Sequence, residues 1–133
     1  MPHRSRLCYI TIDVNDFDTA IAFWTKALGA TLDLAINKNS ESIYQRLTLP
    51  DSNIHILLQL VPEKKASKSR VHIDIETNDV ESEVSRLELL GAKRQRLVEE
   101  RGFRFWNMID PFDNEFCVIQ TEYPELLVKG QKW

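Results

Sequence analysis

Two stretches of the chain alternate strictly between apolar and polar positions. In Cys8-Tyr9-Ile10-Thr11-Ile12-Asp13-Val14 the apolar set is Cys8, Ile10, Ile12 and Val14, and the opposite face carries Tyr9, Thr11 and Asp13. In Val71-His72-Ile73-Asp74-Ile75-Glu76 the apolar set is Val71, Ile73 and Ile75, set against His72, Asp74 and Glu76. A period of two with β-branched residues on one side predicts a half-buried strand. After each strand the period lengthens. Phe17, Ile21, Trp24 and Leu28 make one helical stripe, and Val80, Val84, Leu87 and Leu90 make another. Asn15-Asp16 and Asn78-Asp79 offer side-chain oxygens to the orphan N–H groups at the helix starts. Gly29 and Gly91 close the two helices, where a left-handed residue is favoured.

The second of these segments copies the first. Asn15-Asp16-Phe17-Asp18 returns as Asn78-Asp79-Val80-Glu81, 63 positions on (79 − 16), and Leu28-Gly29-Ala30 returns as Leu90-Gly91-Ala92, 62 positions on (91 − 29). Three further strands follow each helix, near 31–36, 42–49 and 53–61 in the first copy and near 93–98, 103–110 and 114–121 in the second. Asp51-Ser52-Asn53 and the run from Asp110 to Asn114 carry the turn residues between the last two strands of each copy. Repeat one therefore spans about 7–61, a polar, lysine-rich linker 62–69, repeat two about 70–121 and a tail 122–133, within one domain of residues 1–133. The expectation is an α+β fold of two βαβββ units, with the helices on one face of curved sheet.

Composition narrows the setting. A length of 133 residues suits one domain, and an apolar share of 43% is too high for a disordered chain. The net charge of −3 leaves no basic footprint for DNA or RNA. No run approaches the roughly 20 apolar residues of a membrane span. The basic Met1–Arg6 leader runs into no apolar signal region, so a cytoplasmic protein is expected. Cys8 and Cys117 are too few for a disulfide framework or a cysteine-rich zinc site, and Cys8, on the apolar strand face, reads as core.

The ordered set of features resembles the vicinal oxygen chelate superfamily, the glyoxalase, bleomycin-resistance and extradiol-dioxygenase group, and within it the glyoxalase-like subgroup. The resemblance rests on the doubled unit, the two helix entries, Ala22-Phe23-Trp24 with Leu28-Gly29, and Asp110-Pro111-Phe112-Asp113-Asn114-Glu115-Phe116. In that last signature Asp113 stands where glycine is usual. It implies a concave, cup-like mixed sheet with helices outside, and pairing into a homodimer. Metal-dependent members hold a divalent ion with one side chain from the first and last strand of each half, commonly His or Glu. His72 matches a ligand position, and Tyr9 is its equivalent in the first half (72 − 63 = 9). Cys117 stands where Glu is usual, and its counterpart is one of His55, Ile56, Leu57 or Gln59.

Tyrosine and cysteine must lose a proton to bind a metal well, so this set suits the superfamily's ion poorly. The expectation is no metal and no other cofactor; a metal, if bound, would rest on His72 and Cys117. The expected pocket comprises Tyr9, Thr11, His72, Asp74, Trp106 and Cys117, and its partner is a small molecule. Two functions follow from the resemblance. One is a metal-free small-molecule-binding protein of the drug-resistance type. The other is a lyase or isomerase with an atypical site, in which Tyr9 and His72 are the acid–base groups and Cys117 is a further catalytic candidate. A third, an interaction domain, would leave the cup unused. His3 is read as a leader residue without a role, His55 and Trp24 as core, and Lys93, Arg94, Arg96, Arg101 and Arg104 as a solvated sheet edge or an anion-binding rim.

Overall fold

The computed structural model describes residues 2–34, 42–50, 52–64, 66–67, 69–100 and 102–133. The end of the first-copy strand expected at 31–36, Asp51 and Arg101 lie outside the described residues. Among the described residues, nine strands and three helices run in the order βαβββ twice, followed by a short helix and strand. The fold class is α+β. The chain divides into two compact units, Tyr9–Val71 and Met1–Cys8 with His72–Trp133. The first strand, β1 (Arg4–Val14), therefore gives its opening residues to the second repeat and the remainder to the first.

The unit Tyr9–Val71 holds α1 (Phe17–Leu28), β2 (Thr31–Leu32), β3 (Tyr44–Thr48) and β4 (His55–Leu60). Strand β3 runs antiparallel to both β2 and β4, and β4 runs parallel to β1 with Tyr9 opposite His55 and Thr11 opposite Leu57. Alternation sends Leu47, Ile56 and Leu58 beneath the helix, where they form a buried cluster with Ala20 and Ala30. Ile10, Ile12 and Trp24 pack against that cluster. Asp16 caps α1 by accepting from the Asp18 N–H, and Gly29 ends it at φ 67°.

The other unit holds most of β5 (Val71–Thr77), then α2 (Val80–Leu89), β6 (Lys93–Glu100), β7 (Phe103–Ile109) and β8 (Glu115–Gln120). Strand β8 is parallel to β5, β7 is antiparallel to β8, and β6 is antiparallel to β7. Val84, Met108, Phe116 and Val118 form the core, joined by Ile75, Leu87 and Trp106.

One expectation needs correction. Alternation places Val71 and Ile73 beneath the second helix, yet they are 52% and 44% exposed. Helix α2 packs on β8, β6 and β7 instead, so along β5 only Ile75 joins the core while Asp74 and Glu76, on the polar side, are buried. The tail, residues 122–133, carries two short elements. It forms α3 (Pro124–Leu127) and β9 (Gln131–Lys132), and β9 pairs antiparallel with Arg4 and Ser5 of β1.

Candidate functional site

Side chains two apart on a strand share a face, which places His72, Asp74 and Glu76 of β5 together. The parallel register sets Cys117 of β8 opposite Asp74, and the antiparallel register sets Asn107 of β7 opposite Cys117. One row across three strands therefore reads Asp74, Cys117, Asn107. His72 Nε2 lies 3.2 Å from Asp74 Oδ1. One donor atom from each of His72, Asp74 and Cys117 lies within 4.8 Å of the others. Asn107 Nδ2 donates to Cys117 Sγ at 3.9 Å, and the Cys8 thiol donates to the Asp74 carbonyl oxygen at 3.4 Å. The carboxyl and the thiol are buried, whereas the His72 side chain keeps a quarter of its surface open.

Burial alone would drive the imidazole toward neutrality. Hydrogen bonds and attraction from Asp74 and from Cys117 outweigh it and push the His72 pKa up to about 10. His72 is thus a cation across the ordinary pH range, held by an acidic partner. On the same face Glu76 is engaged elsewhere, accepting from Arg6 Nε at 2.5 Å and from the Thr121 hydroxyl at 3.2 Å. Phe105 and Ile119 pair across β7 and β8 on the same face, and both are half-buried. The polar row is thereby flanked by an apolar shelf.

Trp106 does not join this row. It neighbours Asn107 and so points to the other side of β7, where its Nε1 donates to Glu81 Oε1 at 3.3 Å and Arg94 lies 5.0 Å from its ring centroid. Two of the expected edge cations are paired. Arg94 pairs with Glu81 and Glu88, and Arg104 with Glu99, while Arg101 lies outside the described residues. Sequence reading misses Asn107; only the β7–β8 register reveals it. The reading of His3 as an uninvolved leader residue is corrected too, since it is buried and lies 3.0 Å from Glu83, which also accepts from Arg86.

Tyr9 and Thr11 belong to the other unit, where both are buried and Tyr9 meets the ring of His55 edge-on at 6.3 Å. The register here decides among the four residues left open in the first repeat. Ile56 turns into the core, and His55, Leu57 and Gln59 share the Tyr9 face. Because Cys117 lies opposite Asp74, its counterpart lies opposite Thr11 (74 − 63 = 11), and that residue is Leu57. By register, the first unit's counterparts of His72 and Cys117 are Tyr9 and Leu57. An aliphatic side chain offers no donor atom, so Leu57 could not hold a metal ion.

An α+β chain built from two βαβββ repeats, with its polar groups on the sheet face away from the helices, defines a glyoxalase-type fold. The chain matches the model of the glyoxalase-like domain over residues 9–119 and belongs to that family. Among solved structures it is similar to methylmalonyl-CoA epimerase from Mycobacterium tuberculosis, at 21% identity and TM-score 0.58 over 92% of this chain and 91% of that one. It is similar to a glyoxalase/bleomycin resistance protein/dioxygenase superfamily member from Vibrio splendidus, at 15% identity and TM-score 0.59 over 88% and 99%. A third is a variant of the Streptomyces coelicolor methylmalonyl-CoA epimerase in complex with 2-nitronate-propionyl-CoA, at 16% identity and TM-score 0.54 over 90% and 99%. At these identities the likeness is one of fold. No curated protein matches the sequence. No described helix is long and apolar enough to cross a membrane.

Proposed function

We propose that the protein is a small-molecule-binding member of the glyoxalase-like family in which the metal site is degraded. The observation that supports this most is Leu57, an apolar residue at a position where metal-dependent members need a donor. His72, Asp74 and Cys117 are the polar end of the binding surface in the second repeat, with Phe105 and Ile119 as its apolar floor. Tyr9 and Thr11 are the matching residues of the first repeat. The ligand class is an apolar or aromatic compound bearing a polar group that His72 recognises. A solved neighbour that carries a propionyl-CoA analogue supports a small organic ligand for this fold. The protein acts as a single cytoplasmic domain and pairs into a homodimer. The test is native mass spectrometry of protein purified without chelator. It should show a dimer that retains organic ligand and far less than one equivalent of divalent metal. Stoichiometric metal would overturn the reading.

The His72–Asp74 pair favours a second reading, a lyase or isomerase in which His72 acts as an acid. Turnover of a carbonyl substrate that is lost in His72→Gln would put that reading first.

A further inference from the structure

Strand β6 pairs with β7 along one side, and among the described residues no strand lies along the other. Such an edge offers unpaired N–H and C=O groups to any extended chain, and proteins usually blunt it with lysine or a bulge. Both devices sit at the start of β6. Lys93 is exposed there, and the register with β7 shifts between Arg94 and Arg96. From Arg96 to Glu100 the ladder is regular, running opposite Asn107 back to Phe103. Arg96, Val98 and Glu100 therefore share the sheet face of Asn107 and Phe105, the face of the polar row and its apolar shelf. Val98 extends that shelf, since it faces Phe105, which faces Ile119. Arg96 and Glu100 are exposed, opposite in charge, and placed two residues either side of Val98. Repulsion between copies would need one sign of charge along the edge; here the two signs are set symmetrically about an apolar centre.

We propose that β6 is the edge through which two copies of this chain pair, antiparallel and centred on Val98. The proposal deepens the homodimer named above and rests on it. A two-fold axis perpendicular to the sheet keeps each face on its own side. With Val98 on that axis, it meets the partner's Val98 at the roughly 5 Å spacing of facing residues in an antiparallel pair. Arg96 then faces the partner's Glu100, and Glu100 faces the partner's Arg96. Two opposite-charge pairs thus flank an apolar one, the combination that stabilises a cross-strand ladder. On the other face Leu97 meets the partner's Glu99, while Glu99 keeps its own Arg104 at 3.5 Å. Moving the centre one place either way would set Arg96 or Glu100 against Val98, and moving it to Arg96 would set two arginines face to face. The pairing also joins the two shelves. Ile119, Phe105 and Val98 of one copy run on into the same three residues of the other, so each subunit extends its partner's apolar floor.

Sedimentation velocity over a dilution series reads the dimer dissociation constant of wild type, of Arg96→Glu, of Glu100→Arg and of an equimolar mixture of the two variants. Each variant alone sets like charges opposite one another on both sides of the axis, which should raise the constant roughly ten-fold. In the mixture every facing pair is again of opposite sign. The two variants should therefore pair with each other about as tightly as wild type pairs with itself, a rescue that a misfolded protein could not give. Single variants that dimerise as wild type does, or a mixture that fails to pair, would overturn the proposed edge and leave a homodimer formed through another surface. Wild type that stays monomeric would overturn both the edge and the homodimer. A wild-type dimer that holds no ligand but shows the rescue would remove the binding reading and leave the edge.

Discussion

Leu57 holds in β4 the position that Cys117 holds in β8. Each faces the residue two places beyond a repeat-matched position, Thr11 after Tyr9 in one case and Asp74 after His72 in the other. The two repeats share a backbone pattern, but their polar chemistry has separated. The second repeat keeps His72, Asp74 and Cys117 together, and the first has an aliphatic residue in the corresponding place.

Added Ni²⁺ or Mn²⁺ should therefore leave the melting temperature unchanged. An ion at 100 times its dissociation constant would stabilise the fold by about 2.7 kcal/mol, visible as several degrees in a domain this size. Zn²⁺ is the stringent control, because thiol, imidazole and carboxylate are its preferred donors. A Zn²⁺-dependent rise that disappears in Cys117→Ser would refute the metal-free reading.

Stability should fall with rising pH through the titration of His72. Its pKa is raised on folding, from an ordinary 6.5 to about 10. The contribution is thus fully present below about pH 6.5 and is lost as pH climbs toward 10. Urea titrations at pH 6, 8 and 10 should show this decline, and the part due to His72 should vanish in His72→Gln. Equal slopes in the two proteins would show that the imidazole is not held by Asp74 and Cys117.

Asp113→Gly should stabilise the protein by about 0.5–1 kcal/mol, the usual relief when a residue with a Cβ leaves the left-handed region. Asp113 sits at φ 67° in the turn before β8. Asp110 holds that turn by accepting from the N–H groups of Phe112 and Asn114 at 2.8 and 2.9 Å. The signature's usual glycine at this place thus has a backbone reason. Unchanged or lower stability in denaturant would show that the aspartate side chain contributes more than its conformation costs.

Glu83→Ala should cost about 3 kcal/mol or more, because it leaves His3 and Arg86 facing a buried void without their anion. Glu83 is fully buried and accepts from Arg86 at 2.8 and 3.0 Å. Burial opposes its charge, but Arg86, His3 and Ser5 prevail and hold its carboxyl below the usual range. Thermal unfolding checks the cost; a change under about 1 kcal/mol, typical of surface sites, would contradict it.

The repeat, both helices and their caps are legible in the sequence because each is written in local spacing: Asp16 and Asp79 precede the stripes they cap. The exposure of Val71 and Ile73 is not, because alternation shows that a strand has two faces but not which one a helix will cover. Trp106 is displaced from the expected pocket by a single position, which on a strand is a change of face. The pairing of Asp74 with Cys117, and the choice of Leu57 over its three rivals, depend on which residues meet across a ladder. One strand's pattern carries no record of that. The structure of the tail escapes notice because β9 has only two residues and no period to read.

The terminal strand also bears on the order in which the molecule is made. Trp133 N–H donates to the His3 carbonyl at 2.8 Å, its indole donates to the Ser5 hydroxyl at 2.9 Å, and its ring stacks under Arg86 at 3.6 Å. A Cβ on Gly130 would lie 2.5 Å from the Ser5 carbonyl oxygen, so these two segments run backbone against backbone. The start of β1 must therefore wait for β9, far along the chain, before that edge is covered. Contacts of such sequence separation slow folding. A nascent chain stalled near residue 120 would present Arg4 and Ser5 of β1 as an open edge until β9 emerges.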